Sequence, residues 1–178
     1  MTELLTMTPQ DQDLLFREAR TANAFTDEPV SEEQVRAIYD LFKWAPTALN
    51  AQPLRLLLVP QGEPRERLLT HLAPGNRAKA ANAPLVAVLA ADTNFHDHLP
   101  TVFPHFAGAR ASFADDEGKR LETARFNAAL QAGYFLLGVR AAGLAAGPMG
   151  GYDADGIDND LATKLNGRTT FNDSGEQQ

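Results

Sequence analysis

Lys43-Trp44-Ala45-Pro46-Thr47-Ala48-Leu49-Asn50-Ala51-Gln52-Pro53, followed at once by Leu54-Arg55-Leu56-Leu57-Leu58-Val59, decides how this chain is read. Upstream, Val35, Ile38, Leu41 and Phe42 recur at helical spacing up to Trp44. Pro46 closes that helix, because a residue preceding proline is pushed out of the helical region. Downstream, Leu54 to Val59 shows little polar alternation, the mark of a strand buried on both faces. Between them lies a polar elbow bracketed by prolines. A hydroxyl (Thr47) and two amides (Asn50, Gln52) gather there, beside the start of the strand. Donors and acceptors on a scaffolded loop suit the orientation of a flat polar heterocycle. The same residues commonly satisfy their own backbone, so the elbow alone leaves both readings open.

Working toward the N-terminus, Ser31 and Gln34 have the spacing of a capping box, and Val30 with Val35 that of a hydrophobic staple. Thr8-Pro9-Gln10-Asp11 signals an earlier helix reaching about Ala19, with Arg20 at its exit. Toward the C-terminus, the pattern predicts helices from about Pro64 to Leu72 and from Asn76 to Asn82, then a second apolar strand over Leu85 to Ala91. The stretch 92–116, with three histidines and two prolines, reads as an irregular excursion or lid. A long helix follows from Glu117 to Ala142, with Ala124, Ala128, Leu130, Phe135 and Val139 inward and Gly143 as its stop. Ala128, Ala129, Ala132 and Gly133 would let another helix approach closely. Two strands are too few for a stable sheet. Either Leu144–Ala146 supplies a third, or a partner subunit does. Beyond Tyr152 the periodicity decays, and Ile157, Leu161, Leu165 and Phe171 are the few apolar anchors.

The totals bound the function. A chain of 178 residues fits one compact domain, with no linker or repeat in view. A net charge of −7 argues against a nucleic-acid footprint, which needs a clustered basic face. The absence of cysteine excludes disulfides, zinc–thiolate sites and thiol catalysis. The first residues lack the basic and apolar regions of a signal peptide. Arg125, Gln131 and Arg140 interrupt the long helix too often for it to span a bilayer. A cytoplasmic protein without membrane contact is the expectation.

Three further clusters join the elbow. Arg20-Thr21-Ala22-Asn23 sets an arginine fork beside a hydroxyl, a pair able to hold a phosphate. Asn76 and Lys79, three residues apart on a helical turn, project from one face. Gly147-Pro148-Met149-Gly150-Gly151 offers bare backbone N–H groups after the long helix. Each has a plainer reading: a surface ion pair, a solvated helix face, a tight turn. His96, His98 and His105 lack the ligand company of a metal centre, and no metal is expected. No glycine-rich phosphate loop and no nucleophile elbow is present.

Taken in order, Ala19-Arg20-Thr21-Ala22-Asn23 with Phe25, Lys43 to Asn50, Gly75-Asn76 with Lys79, Leu99-Pro100 with Phe103-Pro104-His105, and Gly147 to Asp153 resemble the FMN-dependent nitroreductase family. The likeness is closest to the branch that includes malonic semialdehyde reductase and covers about residues 10–155. It implies an α+β fold, an antiparallel sheet covered by helices in an intertwined homodimer with FMN at the subunit interface. It implies that Arg20 grips the FMN phosphate with Thr21 nearby, and that Asn76 and Lys79 face the ring. Thr47 and Asn50 would reach in from the other subunit. Pro148, Met149, Gly150 and Gly151 would pass the flavin edge, with backbone N–H groups near N5. The implied activity is ping-pong transfer from NADH or NADPH to a small acceptor. Malonic semialdehyde, reduced to 3-hydroxypropionate, is one candidate; a nitroaromatic or quinone is another. No side chain is assigned the chemistry itself, and Lys79 gives electrostatic support. Arg110, Arg125 and His105 are candidates for a substrate carboxylate. The family's glycine-containing strand and Pro/Arg-bearing tail have no counterpart after Gly156, where only Lys164 and Arg168 supply cations. The chain is therefore read as divergent or cut short beyond about 155, and its alternative is a non-catalytic flavin-binding or interaction protein.

Overall fold

The computed structural model describes residues 5–165, with side chains described to residue 160. The decisive stretch folds as its sequence dictates. Helix α1 (Pro9–Gln12) continues as a π turn over Asp13–Arg17. Helix α2 (Glu32–Phe42) starts at Ser31, whose Oγ accepts from Gln34 N at 3.2 Å while Gln34 Oε1 accepts from Ser31 N at 2.9 Å. Strand β1 spans Leu54–Val59 and runs antiparallel to β2 (Val86–Ala91), pairing Leu54 with Ala91 and Val59 with Val86. Between them lie α3 (Glu63–Thr70) and α4 (Pro74–Asn82). After β2 come a 3₁₀ turn over Phe95–His98, then α5 (Leu99–Val102) and α6 (Ala111–Ala114). The long α7 (Glu117–Ala141) and α8 (Ala154–Leu165) complete the chain. The result is a small antiparallel sheet with helices packed around it, the α+β class expected.

Helix α7 is the spine. It crosses α2 where Gly138 lets Ile38 close in, a Cβ there lying 3.3 Å from the Ile38 carbonyl oxygen. Phe42 meets Phe135 edge-on at 5.4 Å, and Ile38, Leu54, Ala128 and Val139 complete that core. Its C-terminus closes in a Schellman motif: Gly143, at φ 74°, donates to Arg140 O at 2.9 Å, and Leu144 N donates to Val139 O at 3.1 Å. Leu130, expected inward, is 42% exposed. It lies on a different stripe of the helix, with Phe126 and Tyr134.

Three expectations are corrected. Residues 92–116 are the expected excursion of turns and very short helices, but not a loose lid. Phe95 and Leu99 are fully buried with Ala109 and Phe113, giving the segment its own core against α7. Leu144–Ala146 forms no strand among the described residues, although Ala22 N donates to Ala146 O at 2.9 Å. Residues past Tyr152 do not simply decay: α8 buries Ile157 against Leu57 and Leu68. Arg168 and Phe171, and the side chains of Leu161, Lys164 and Leu165, lie outside the described residues. Among the described residues, no helix is long and apolar enough to cross a membrane.

Asp160 docks α8 on α3. Its carboxylate pairs with the Arg67 guanidinium, which also donates to the Asp160 carbonyl at 2.9 Å, and lies 3.0 Å from His71 Nε2. The Arg67 hydrogen bond, then that of His71, pulls its pKa from 3.8 to about 2. A carboxyl depressed by folding stabilises the fold above its unfolded pKa and loses that contribution as pH falls through its folded pKa. Asp160→Asn should therefore weaken α8 docking near neutral pH, read as faster amide exchange along the helix. The gap to wild type should close as pH falls from about 4 to about 2. A gap unchanged across that window would contradict the assignment.

Candidate functional site

Three of the four polar clusters converge beside the Val59 end of β1. The segment following the π turn runs alongside Leu144–Gly151. Ala22 donates to Ala146, and the Arg140 guanidinium reaches the Arg20 carbonyl. Lys79 Nζ donates to Asn23 Oδ1 at 3.2 Å, joining α4 to that segment. Asn76 Nδ2 donates to Gly151 O at 3.0 Å, and Ala73 N donates to the same oxygen at 3.0 Å, joining α4 to the glycine segment. An open depression of about 170 Å³ lies between Asn23, Phe25 and the Ala78–Lys79–Asn82 face.

Glycine makes this approach possible. A Cβ on Gly147 would stand 2.5 Å from the Ala22 carbonyl oxygen, and one on Gly151 would stand 3.1 Å from both Ala73 Cβ and Asn76 Nδ2. Gly150 has open space, and the N–H groups of Gly150 and Gly151 donate to no protein atom among the described residues. Pro148 is exposed, whereas Met149 turns its side chain into the core beside Leu57 and Leu68. Gly147→Ala should lower stability by about 1–3 kcal/mol, the usual cost of overpacking. Gly150→Ala should leave it nearly unchanged. Equal thermal midpoints for the two variants would contradict the close approach.

The charge at this site is lopsided. Among the described residues, neither Arg20, Lys79 nor Arg140 forms an ion pair with a carboxylate, although the chain carries −7 overall. Arg20 Nη1 rests on the carbonyls of Arg17 (2.7 Å) and Ala19 (3.0 Å), neutral acceptors that a phosphate can displace with stronger, charge-assisted bonds. Thr21 sits exposed beside it.

The elbow stays apart. It hangs on the Leu54 end of β1, roughly 17 Å along the strand from Val59. Leu49, Asn50 and Gln52 all sit in the left-handed region, at φ 56°, 50° and 43°. That conformation costs about 1–2 kcal/mol at Leu49 and at Gln52, whereas asparagine tolerates it. Thr47 Oγ1 accepts from Gln52 N at 3.2 Å, the local role its chemistry allows. Asn50 Nδ2 donates to Val102 O at 3.0 Å, and its Oδ1 accepts from Gln52 Nε2 at 3.0 Å. One chain therefore brings Arg20, Thr21, Asn76, Lys79, Gly150 and Gly151 together, but not Thr47 and Asn50 with them.

Two residues that sequence reading passed over hold the elbow. Asn127 and Gln131, one turn apart on α7, are 2% and 3% exposed. Asn127 Oδ1 accepts from Ala48 N at 2.7 Å, and Gln131 Oε1 accepts from Leu54 N at 2.9 Å. Gln131 Nε2 also donates to Gln52 Oε1 at 2.6 Å. The available signal was two amides at i and i+4 on an otherwise apolar helix face; read singly, Gln131 looked like an interruption. Of the suggested substrate cations, Arg110 is held by Asp97 at 2.8 Å, the His105 ring lies tilted against Phe103 with centroids 3.9 Å apart, and Arg125 is exposed. His96 is buried beside Phe95, whereas His98 is exposed near Asp92, so the two rings do not share a site.

The family profile described as "Nitroreductase family" matches residues 16–168. The chain belongs to the nitroreductase family. Among curated relatives, a "Putative NADH dehydrogenase/NAD(P)H nitroreductase" of Streptomyces griseus is 62% identical over 88% of this chain and 80% of its own length. A Leptothrix cholodnii protein of the same name is 52% identical, over 81% of this chain and 73% of its own. Among solved structures, a "putative nitroreductase in complex with FMN" from Exiguobacterium sibiricum superposes with a TM-score of 0.77 at 19% identity. It covers 89% of this chain and 82% of its own, a likeness of fold. The nitroreductase match extends past Gly156, over the region where α8 folds.

Proposed function

We propose that this nitroreductase-family chain is an FMN-dependent NAD(P)H oxidoreductase working as a single-domain subunit of a homodimer. The observation that carries the reading is a pair of features at one locus: cations that have no carboxylate partner among the described residues (Arg20, Lys79, Arg140) and the N–H groups of Gly150 and Gly151, which donate to no protein atom among them. A donor set of that kind fits an anionic cofactor with a polar ring edge. When bound, FMN supplies the two-electron chemistry, between NADH or NADPH and a small acceptor in ping-pong order.

The chain's own residues hold and bias that group. Arg20 and Thr21 take the phosphate. Asn76, anchored through Nδ2 on Gly151 O, would present Oδ1, which accepts from nothing among the described residues, to the ring edge. Lys79 places a positive charge where negative charge develops on reduction, and a cation fixed beforehand costs no reorganisation at that moment. Pro148 and Met149 carry the backbone past the ring, and Gly150 and Gly151 donate to it.

A second copy completes the site. A depression of about 170 Å³ falls below the roughly 300 Å³ at which ligand pockets usually begin. Along α7, Phe126, Ala129, Leu130, Gly133 and Tyr134 form an exposed stripe at helical spacing, with Phe126 65% exposed. Its small members permit close helix approach. Packing of two such stripes would let Thr47 and Asn50 of one subunit approach the ring held by the other. The alternative, a flavin-binding or interaction protein inactivated by loss of the C-terminal tail, predicts bound FMN that neither nicotinamide bleaches; Ile157 and Asp160 anchor the first part of the stretch after Tyr152.

For the acceptor, the resemblance adds malonic semialdehyde, with nitroaromatics and quinones as rivals. Comparing kcat/KM for the three distinguishes them. The proposed function itself is tested by reconstituting the purified protein with FMN and adding each nicotinamide without oxygen. Retained yellow colour that NADH or NADPH bleaches is expected; no flavin uptake overturns the reading.

A further inference from the structure

We infer that Arg65 is a positioning residue for the flavin site, fixing Lys79 by clamping the C-terminal turn of α4 to the end of β1; this rests on the flavin reading above. Arg65 is 1% exposed. Its Nη1 donates to Ala80 O at 2.6 Å and Ala83 O at 2.8 Å, and its Nη2 donates to Val59 O at 2.5 Å. Among the described residues it forms no ion pair, and its buried Nε has no partner. Burial draws its pKa below the usual arginine value, with no carboxylate to offset it.

Folding alone gives little reason for such a residue, since well-packed apolar side chains often replace buried charges without loss. The reason lies in α4. Only Ala80 of its nine residues is buried, so apolar packing scarcely locates this helix. Polar ties do so instead. Ala73 and Asn76 fasten its N-terminal end to Gly151. At the other end Arg65 holds the carbonyl of the residue after Lys79, and Gln61 Nε2 adds bonds to Ala81 O (3.1 Å) and Ala83 O (2.9 Å). Three carbonyls around one planar fork select arginine over lysine.

The test uses the full chain reconstituted with FMN, measuring its dissociation constant and the midpoint potential of the bound flavin. Wild type is compared with Arg65→Lys, Arg65→Met, Lys79→Met and the Arg65→Lys/Lys79→Met double variant. Arg65→Lys is expected to weaken FMN binding about tenfold. It should loosen reduced FMN about tenfold more than oxidised FMN, because the displaced cation favours the reduced ring, and so move the potential negative by about 30 mV. In the Lys79→Met background the same substitution should add no further shift in potential. An unchanged potential with only a lower thermal midpoint overturns the inference, as does a full additional shift in the double variant. If the Arg65 variants do not fold, the exposed Gln61→Ala decides: a smaller negative shift supports the clamp, and none overturns it. A wild-type chain that takes up no FMN overturns the flavin reading and this inference with it, whereas FMN uptake with Arg65→Lys matching wild type overturns this inference alone.

Discussion

Lys79→Ala is expected to slow flavin reduction by NADH or NADPH about a hundredfold while leaving the unfolding midpoint within error of wild type. Lys79 makes one side-chain bond among the described residues, to the exposed Asn23, so its loss uncovers no buried group. Surface contacts of that kind contribute well under about 1 kcal/mol to stability. Its electrostatic role is another matter. Removing one preorganised donor from a site of developing charge costs on the order of a hundredfold or more in rate. Lys79→Arg should recover part of the rate. Stopped-flow bleaching of the flavin beside thermal unfolding separates the two effects. Equal loss of both would identify Lys79 as a structural lysine.

Gln131→Leu and Asn127→Leu carry the second large effect, and theirs falls on stability. Each would strip the acceptor from a backbone N–H near or in the core, that of Leu54 or of Ala48. An orphaned buried donor costs about 1–3 kcal/mol. The elbow also contains three left-handed non-glycine residues, so it is a strained segment that persists because its surroundings over-determine it. Loss of either amide should lower the urea midpoint and weaken FMN binding together, as Thr47 and Asn50 drift. Gln131→Glu keeps an acceptor for Leu54 N but sets an oxygen, where Nε2 had donated, against Gln52 Oε1, and should fall between. Gln131→Leu as stable as wild type would show that the elbow holds its own shape.

The elements legible in the sequence are those with local signals. Leu54–Val59 matches expectation residue for residue because its apolar run is bounded by prolines. The capping box of Ser31 and Gln34 and the stop at Gly143 follow from side-chain and φ preferences that need no tertiary partner. Helix α8 escaped notice because, among the residues with described side chains, Ile157 alone joins the buried core and its docking depends on Arg67 and His71, far away in sequence. The cap over 95–113 was hidden for a similar reason: Phe95, Leu99, Ala109 and Phe113 share a core without a common helical period.

The candidate site was legible to the same degree. Arg20, Asn76, Lys79 and the Gly147–Gly151 segment stood out as polar or bare-backbone groups without local purpose, and the fold brings them together. Thr47 and Asn50 stood out equally, but the turn made by left-handed Leu49, Asn50 and Gln52 draws both into bonds within the chain. Asn127, Gln131 and Arg65 support the site from behind. Their role depends on which carbonyls and N–H groups face them, and no sequence pattern announces that.

A crystal structure of the FMN complex tests the central claim most directly. It should show the ring between the Lys79 and Gly150 groups of one subunit and the Thr47–Gln52 elbow of the other, with the phosphate at Arg20. Flavin bound elsewhere, or within a single copy away from Lys79, would contradict it.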